Sequence, residues 1–176
     1  MGVFNFLKKD DSNKHQRKST RGELFEEAMK QFETNKFADD EQAKAALFDA
    51  YIASKNDVFD RFEWYNAAVE YYYVLSSTTG DAPIEKCKEL SEESIKFAPK
   101  VIEKYKKEYH GDSLLGFIPP EVPAFKYLAV IYEQEGNYAK AIKVCDKALE
   151  MDIRDGTVGG FTARKERLLQ KKKKKK

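Results

Sequence analysis

The spacing of apolar side chains along the chain predicts helices. Apolar residues recur at intervals of three and four, the period of an amphipathic helix, and no segment shows the strict alternation of a half-buried strand. Segments rich in glycine and proline separate the helical patterns, above all residues 110–122. We therefore expect an all-α fold, with helices over residues 20–35, 39–54, 58–75, 83–99, 123–134, 138–151 and 162–170.

Local signals predict where the first helices begin and what they bury. Thr20 and Glu23 have the spacing of a capping box, and Asp39 or Asp40 can cap the second helix. The apolar stripes of these two helices comprise Leu24, Phe25, Ala28 and Phe32, and then Ala43, Ala46, Leu47, Ala50 and Tyr51.

Two segments further along the chain contain residues that break helices. The composition of residues 76–81 predicts a loop, and Pro83 suits the first turn of the helix that follows it. Pro99 either kinks that helix or starts another one over residues 99–109.

The most specific pattern is a predicted helical hairpin over residues 125–151. Small side chains at Ala129, Ala141 and Ala148 allow two helices to approach closely, and Gly136-Asn137 forms the turn. The spacing of Ala129, Tyr132, Ala141 and Ala148 resembles the tetratricopeptide repeat, a 34-residue helical hairpin. Two positions depart from that pattern: Cys145 stands where an aromatic is usual, and Ile153 where the family has proline.

A looser copy of the same pattern lies upstream, over residues 61–99. Trp64, Ala67 and Tyr71 resemble the opening of the repeat, and Cys87 stands twelve residues before Pro99. Seven extra residues lie between the two halves of this copy, and we expect them to bulge out near residues 76–82.

The resemblance implies one repeat domain over residues 20–170, with the better repeat at about 122–155. Its antiparallel helix pairs would stack as a short right-handed superhelix, because a single hairpin cannot bury its apolar face alone. The alternative is an irregular helical bundle, which the long connection 110–122 favours.

In this family the first helix of each pair lines a concave surface that binds peptides or partner proteins. The corresponding face here predicts a groove of aromatic anchors with Asn66 and Lys126 as polar groups. Either this groove is open or another helix buries it. Its residues are Phe62, Tyr65, Asn66, Val69, Tyr72 and Tyr73, followed by Lys126, Tyr127 and Val130. Some members grip a C-terminal carboxylate with several Lys, Arg and Asn side chains, whereas this groove offers only Asn66 and Lys126.

The composition argues against catalysis, a cofactor and a metal centre. Cys87 and Cys145 fall at small inward positions, where a thiol behaves as an apolar group, and the only histidines are His15 and His110. The chain has no phosphate-binding loop, HExxH or GxSxG motif. We therefore expect a non-catalytic protein-interaction adaptor, without catalytic residues, metal ligands or cofactors.

The charge distribution supplies an alternative function. Residues 1–21 carry six basic and two acidic side chains and residues 164–176 nine and one, which leaves 17 basic and 27 acidic between them. We expect residues 1–19 to form a flexible basic arm and Lys171–Lys176 a flexible polylysine tail. Such ends could bind nucleic acid or another acidic polymer, and residues 2–9 could contact an anionic membrane surface. No apolar run is long enough for a transmembrane segment or a secretory signal, so we expect a cytoplasmic protein.

Overall fold

Helices make up nearly all of the computed structural model, which describes residues 20–108 and 117–174. The predicted all-α class is confirmed, and no strand occurs in these two ranges. The described residues form two compact units, which divide after Ser54. The helices are α1 (Thr20–Asn35), α2 (Asp40–Ala53), α3 (Val58–Thr79), α4 (Asp81–Glu108), α5 (Pro123–Gln134), α6 (Tyr138–Glu150) and α7 (Gly160–Lys174), with a 3₁₀ turn at Ser54–Asn56.

The first unit contains the hairpin of α1 and α2. Of the two candidate caps, Asp39 is the N-cap of α2, where its side chain accepts a hydrogen bond from the Gln42 N–H at 3.0 Å. The buried side chains include Phe25 and Phe32 of α1 and Ala43, Leu47 and Ala50 of α2.

Two residues of the predicted stripes in this hairpin are not buried. Leu24 is 65% exposed, because it lies about 100° around α1 from Phe25, on a side that the hairpin does not cover. Tyr51 is 40% exposed, because it follows the fully buried Ala50 and so points about 100° away from it.

The loop predicted over residues 76–81 is wrong. Helix α3 continues to Thr79 and α4 starts at Asp81, so the extra residues lengthen the helices instead of bulging out. Ser76, Ser77, Thr78 and Thr79 each donate a hydroxyl hydrogen bond to a carbonyl three or four residues earlier, at 2.6 to 3.0 Å. These bonds satisfy the hydroxyl groups within the helix, and Gly80 makes the turn at φ 94°.

Pro99 does not start a new helix. It lies inside the uninterrupted α4, so the looser repeat does not end there and its second helix continues to Glu108. The ring is exposed to solvent, where water can bond the carbonyl that lacks its usual N–H partner.

The hairpin of α5 and α6 matches its prediction closely. Pro123 occupies the first turn of α5, Gly136 adopts φ 69°, and the Asn137 side chain caps α6 by accepting from the Lys140 N–H at 3.3 Å. The small side chains at the crossing are fully buried, namely Ala129, Ala141, Cys145 and Ala148.

Each helix of the second unit packs on its neighbours in the chain. Helix α3 packs on α4, α4 on α5, α5 on α6, and α6 on α7, and α3 also contacts α5. This nearest-neighbour packing of hairpins is typical of helical repeats. The right-handed superhelix and the extent of one repeat domain over residues 20–170 stay predictions.

The C-terminal helix α7 is longer than predicted. It includes Lys171–Lys174, part of the segment that the sequence assigned to a polylysine tail, and the flexibility of that tail stays a prediction. Lys171 forms an ion pair with Glu133 of α5 at 2.8 Å, which fixes one end of that segment. The predicted arm at residues 1–19, His110 and the last two lysines lie outside the described residues.

Candidate functional site

Two tyrosines join the first helices of the two hairpins in the second unit. The rings of Tyr73 in α3 and Tyr127 in α5 have centroids 4.4 Å apart and planes inclined by 37°. Both side chains are half-buried, and burial, with a smaller contribution from Glu70, raises the pKa of the Tyr127 hydroxyl. The ring pair therefore forms part of the α3–α5 contact and also reaches the surface.

Asn66 has a hydrogen-bond acceptor without a partner among the described residues, on the side of α3 that carries Tyr73. It precedes Tyr73 by seven residues, or about two helical turns. Its Oδ1 atom is buried and has no hydrogen-bond partner in the described part of the chain. A buried acceptor left without a donor costs about 1–3 kcal/mol.

Lys126 and Val130 lie one helical turn apart on the outer side of α5. Both are half-buried, and Lys126 forms no hydrogen bond or ion pair with any described residue. On α3, Glu70 and Val74 are exposed, Val74 to 44%. The prediction from sequence missed these two residues, although their positions four and eight residues after Asn66 place them on one side of the helix.

Two predicted groove residues belong to the core. Phe62 is 7% exposed and Val69 is fully buried. The Phe62 ring lies 6.5 Å from that of Tyr105 in α4, and the Cys87 thiol donates to the Val69 carbonyl at 3.4 Å. Both side chains are buried, so neither lies on an open surface.

Tyr65 and Tyr72 are also separated from the α3–α5 contact. The Tyr65 hydroxyl donates to Glu93 of α4 at 3.3 Å, and its ring lies 5.6 Å from that of Phe97. Tyr72 lies near Lys86 of α4, whose pKa is raised mainly by its hydrogen bond to Glu89 and to a smaller extent by Tyr72. The predicted aromatic groove is thus divided between two sides of α3, because α3 has both α4 and α5 as neighbours.

Hydrogen-bonded contacts between α4 and α5 hold the second hairpin in place. The Tyr132 hydroxyl donates to Glu92 at 2.7 Å, and Lys88 pairs with Glu135 at 2.7 Å. Burial and the Glu92 carboxylate raise the pKa of Tyr132 to about 12. These contacts, which sequence patterns did not indicate, position the helix that carries Lys126, Tyr127 and Val130.

The two thiols are unsuited to nucleophilic chemistry. Cys87 and Cys145 are fully buried, and burial raises the pKa of each to about 11. At neutral pH both are protonated, whereas the thiolate is the reactive form. Within the described residues no three metal-ligating side chains form a cluster, and no helix there has the length and apolarity to cross a membrane.

Comparison with known families identifies the second hairpin. The family model described as tetratricopeptide repeat matches residues 122–153. Over these residues the chain is similar to a single tetratricopeptide repeat. The match covers Ala129, Tyr132, Ala141 and Ala148, on which the sequence resemblance was based, and it includes the departures at Cys145 and Ile153.

The tetratricopeptide repeat supports a general role in protein–protein interaction, and its family is generally non-catalytic. No match was found among curated proteins or among solved structures. The first helix of the matched hairpin is α5, and Lys126 and Val130 lie one turn apart on its outer side.

Proposed function

We propose that this chain is a non-catalytic adaptor that binds a peptide or partner protein across α3 and α5. The α3–α5 surface consists of Asn66, Glu70, Tyr73, Val74, Lys126, Tyr127 and Val130. The observation that carries the proposal is the contact between Tyr73 of α3 and Tyr127 of α5, two half-buried rings that join the helices and also reach the surface. The tetratricopeptide match at the second hairpin supports it independently.

The chemistry of the α3–α5 surface defines what a partner must offer. Tyr73 and Tyr127 offer half-buried rings against which an apolar or aromatic side chain can pack. Lys126 donates to a carbonyl or carboxylate, and Val130 provides an apolar contact beside the tyrosine pair. A short peptide segment with alternating polar and apolar groups satisfies all three. With Lys126 as its only basic side chain and Glu70 as an acidic one, the surface does not favour a clamp dedicated to a C-terminal carboxylate.

The test is affinity capture with two matched double variants of the full chain. K126E/V130D reverses one charge and adds another on the outer side of α5. The control A139D/K143E introduces the same acidic residue types at exposed positions of α6, outside the α3–α5 surface. Captured proteins are quantified by mass spectrometry against wild type.

We expect K126E/V130D to reduce recovery of specific partners at least tenfold and A139D/K143E to leave it within twofold of wild type. Helical circular dichroism and urea unfolding establish that both variants are folded. Equal recovery by the two folded variants would reject the α3–α5 surface as the binding site.

A further inference from the structure

The first unit has an apolar groove that the proposed function does not use. It lies between α1 and α2 and has a volume of about 950 Å³. Leu24 and Phe48, on opposite sides of the groove, are 65% and 63% exposed, and Ile52 beside them is 51% exposed. Contiguous exposed side chains of this size mark binding surfaces in soluble proteins.

The groove arises because α2 is apolar on two sides. Ala43, Leu47 and Ala50 are buried, whereas Phe48 and Ile52 lie on another side of the same helix. A helix that is apolar on nearly all sides is normally covered on nearly all sides. The second side of α2 therefore suits an apolar ligand.

The polar residues of the groove specify the charge of that ligand. Glu27 and Asp49 belong to its lining, and no lysine or arginine does. Neither carboxylate forms an ion pair with a described residue, since Glu27 accepts only an amide hydrogen bond from Gln31. A ligand with apolar side chains next to a positive charge would complement both features of the groove.

The chain itself contains a segment of this composition. Val3, Phe4, Phe6 and Leu7 are followed directly by Lys8 and Lys9, a run of apolar residues adjoining two positive charges. These residues lie outside the described part of the structure. Ten residues, 10–19, connect the segment to α1, and they span at most about 35 Å when extended.

Because residues 10–19 tether the segment to α1, even a weak contact with the groove is sufficient for the segment to bind there. Helix α1 has 16 residues and is therefore about 24 Å long, so the connecting residues can reach any point of the groove. A short tether also gives an effective concentration in the millimolar range. A free peptide from another protein would need to bind much more tightly to occupy the same groove.

We propose that residues 3–7 bind in the α1–α2 groove of their own chain, with Lys8 and Lys9 close to Glu27 and Asp49. Phe4 and Phe6 fill the apolar groove between Leu24 and Phe48. The occupant of the groove is therefore a segment of the same chain.

Photo-crosslinking in the full chain tests this occupancy. A benzoylphenylalanine replaces Phe4, and an equal mixture of ¹⁴N- and ¹⁵N-labelled chains is irradiated at low concentration. We expect crosslinks to residues 24–31 and 45–52, within chains of one isotope. Crosslinks between the two isotopes would overturn the proposal in favour of a second copy as the occupant, and crosslinks that are absent or confined to other residues would also overturn it.

Matched variants establish whether the groove itself is responsible. L24E/F48E places charges in the groove at two exposed positions and should reduce the expected crosslinks at least fivefold. V158E changes a fully exposed valine of the other unit and should leave them unchanged. Undiminished crosslinks in a folded L24E/F48E chain would contradict the proposal.

A dye measurement on the same chains gives an independent readout. In F4D/F6D the groove should become accessible, so binding of the dye ANS should increase at least twofold over wild type. Adding L24E/F48E to that variant should remove the increase. Unchanged dye binding in F4D/F6D would show that these phenylalanines do not occupy the groove.

Discussion

The phenol rings of Tyr73 and Tyr127 lie in contact, with centroids 4.4 Å apart, and connect α3 to α5. Tyr73 belongs to the hairpin of α3 and α4, and Tyr127 belongs to the hairpin that matches the tetratricopeptide-repeat model. Contact between the first helices of successive hairpins is the arrangement that stacked repeats require.

Truncation of this pair should reveal an energetic coupling between the hairpins. We expect Y73A and Y127A each to lower the free energy of unfolding, and the double mutant to lose about 1 kcal/mol less than the sum of the two, because the ring contact can be lost only once. Urea unfolding of the four chains in a double-mutant cycle measures this coupling. A coupling indistinguishable from zero would show that the rings are adjacent without interacting.

The small residues of the tetratricopeptide repeat should tolerate no increase in volume. Ala141 is fully buried where α6 meets α5, whereas Ala139 two residues earlier is exposed. We expect A141L to destabilise the chain by about 1–3 kcal/mol through overpacking and A139L to change stability by less than about 0.5 kcal/mol. Thermal unfolding monitored by circular dichroism distinguishes the two. Similar melting temperatures for A141L and A139L would contradict the close packing of this hairpin.

The ion pair between Asp155 and Arg164 should make the free energy of unfolding depend on pH in the acidic range. Asp155 is buried, accepts from the Thr157 N–H and hydroxyl, and lies 3.3 Å from the Arg164 guanidinium. Burial opposes ionisation, but the bonds from Thr157 and Arg164 outweigh it and hold the pKa of Asp155 below its ordinary value of 3.8. A carboxyl group with a lowered folded-state pKa contributes stability above its unfolded pKa and loses that contribution as the pH falls through the folded value.

We expect D155N to lower the free energy of unfolding by about 3 kcal/mol at pH 7, because it leaves Arg164 without its buried partner. The difference from wild type should shrink as the pH falls below about 4, the ordinary pKa of Asp in the unfolded chain, toward the lower pKa of Asp155 in the folded chain. Urea unfolding of both chains from pH 7 to pH 3 tests the sign. A difference that grows toward low pH would exclude this role for Asp155.

Both cysteines should be unreactive in the folded chain. Their buried thiols, each with a pKa of about 11, are protonated at pH 8, and reagent cannot reach them. We expect Ellman's reagent to modify fewer than about 0.1 thiols per chain in minutes under native conditions, and both in guanidinium. Rapid native modification of C87A or C145A would identify the remaining cysteine as accessible.

Sequence patterns predicted the tetratricopeptide repeat well because its signals are local. Ala129, Ala141 and Ala148 limit the distance between two helices, and Gly136-Asn137 determines the turn between them. The end of α3 was mispredicted because Ser76–Thr79 has the composition of a loop, although its hydroxyl groups bond back to the preceding turn. Composition alone does not decide whether such a segment forms a loop or continues a helix.

The candidate site was only partly predictable. Periodicity identified the aromatic residues of α3, but which of them face solvent depends on the helices that pack beside it. Val69 is fully buried, whereas Tyr73, four residues later, contacts Tyr127 of α5 and is only half-buried. The positions of α4 and α5 around α3 are tertiary information that the period of a single helix does not contain.

The most direct test of the interaction account is the affinity of a captured partner for the two matched double variants. Isothermal titration of that partner should give a dissociation constant at least tenfold higher for K126E/V130D than for wild type, and an unchanged constant for A139D/K143E. Tenfold corresponds to about 1.4 kcal/mol of binding free energy. Equal affinities for wild type and K126E/V130D would contradict binding at the α3–α5 surface.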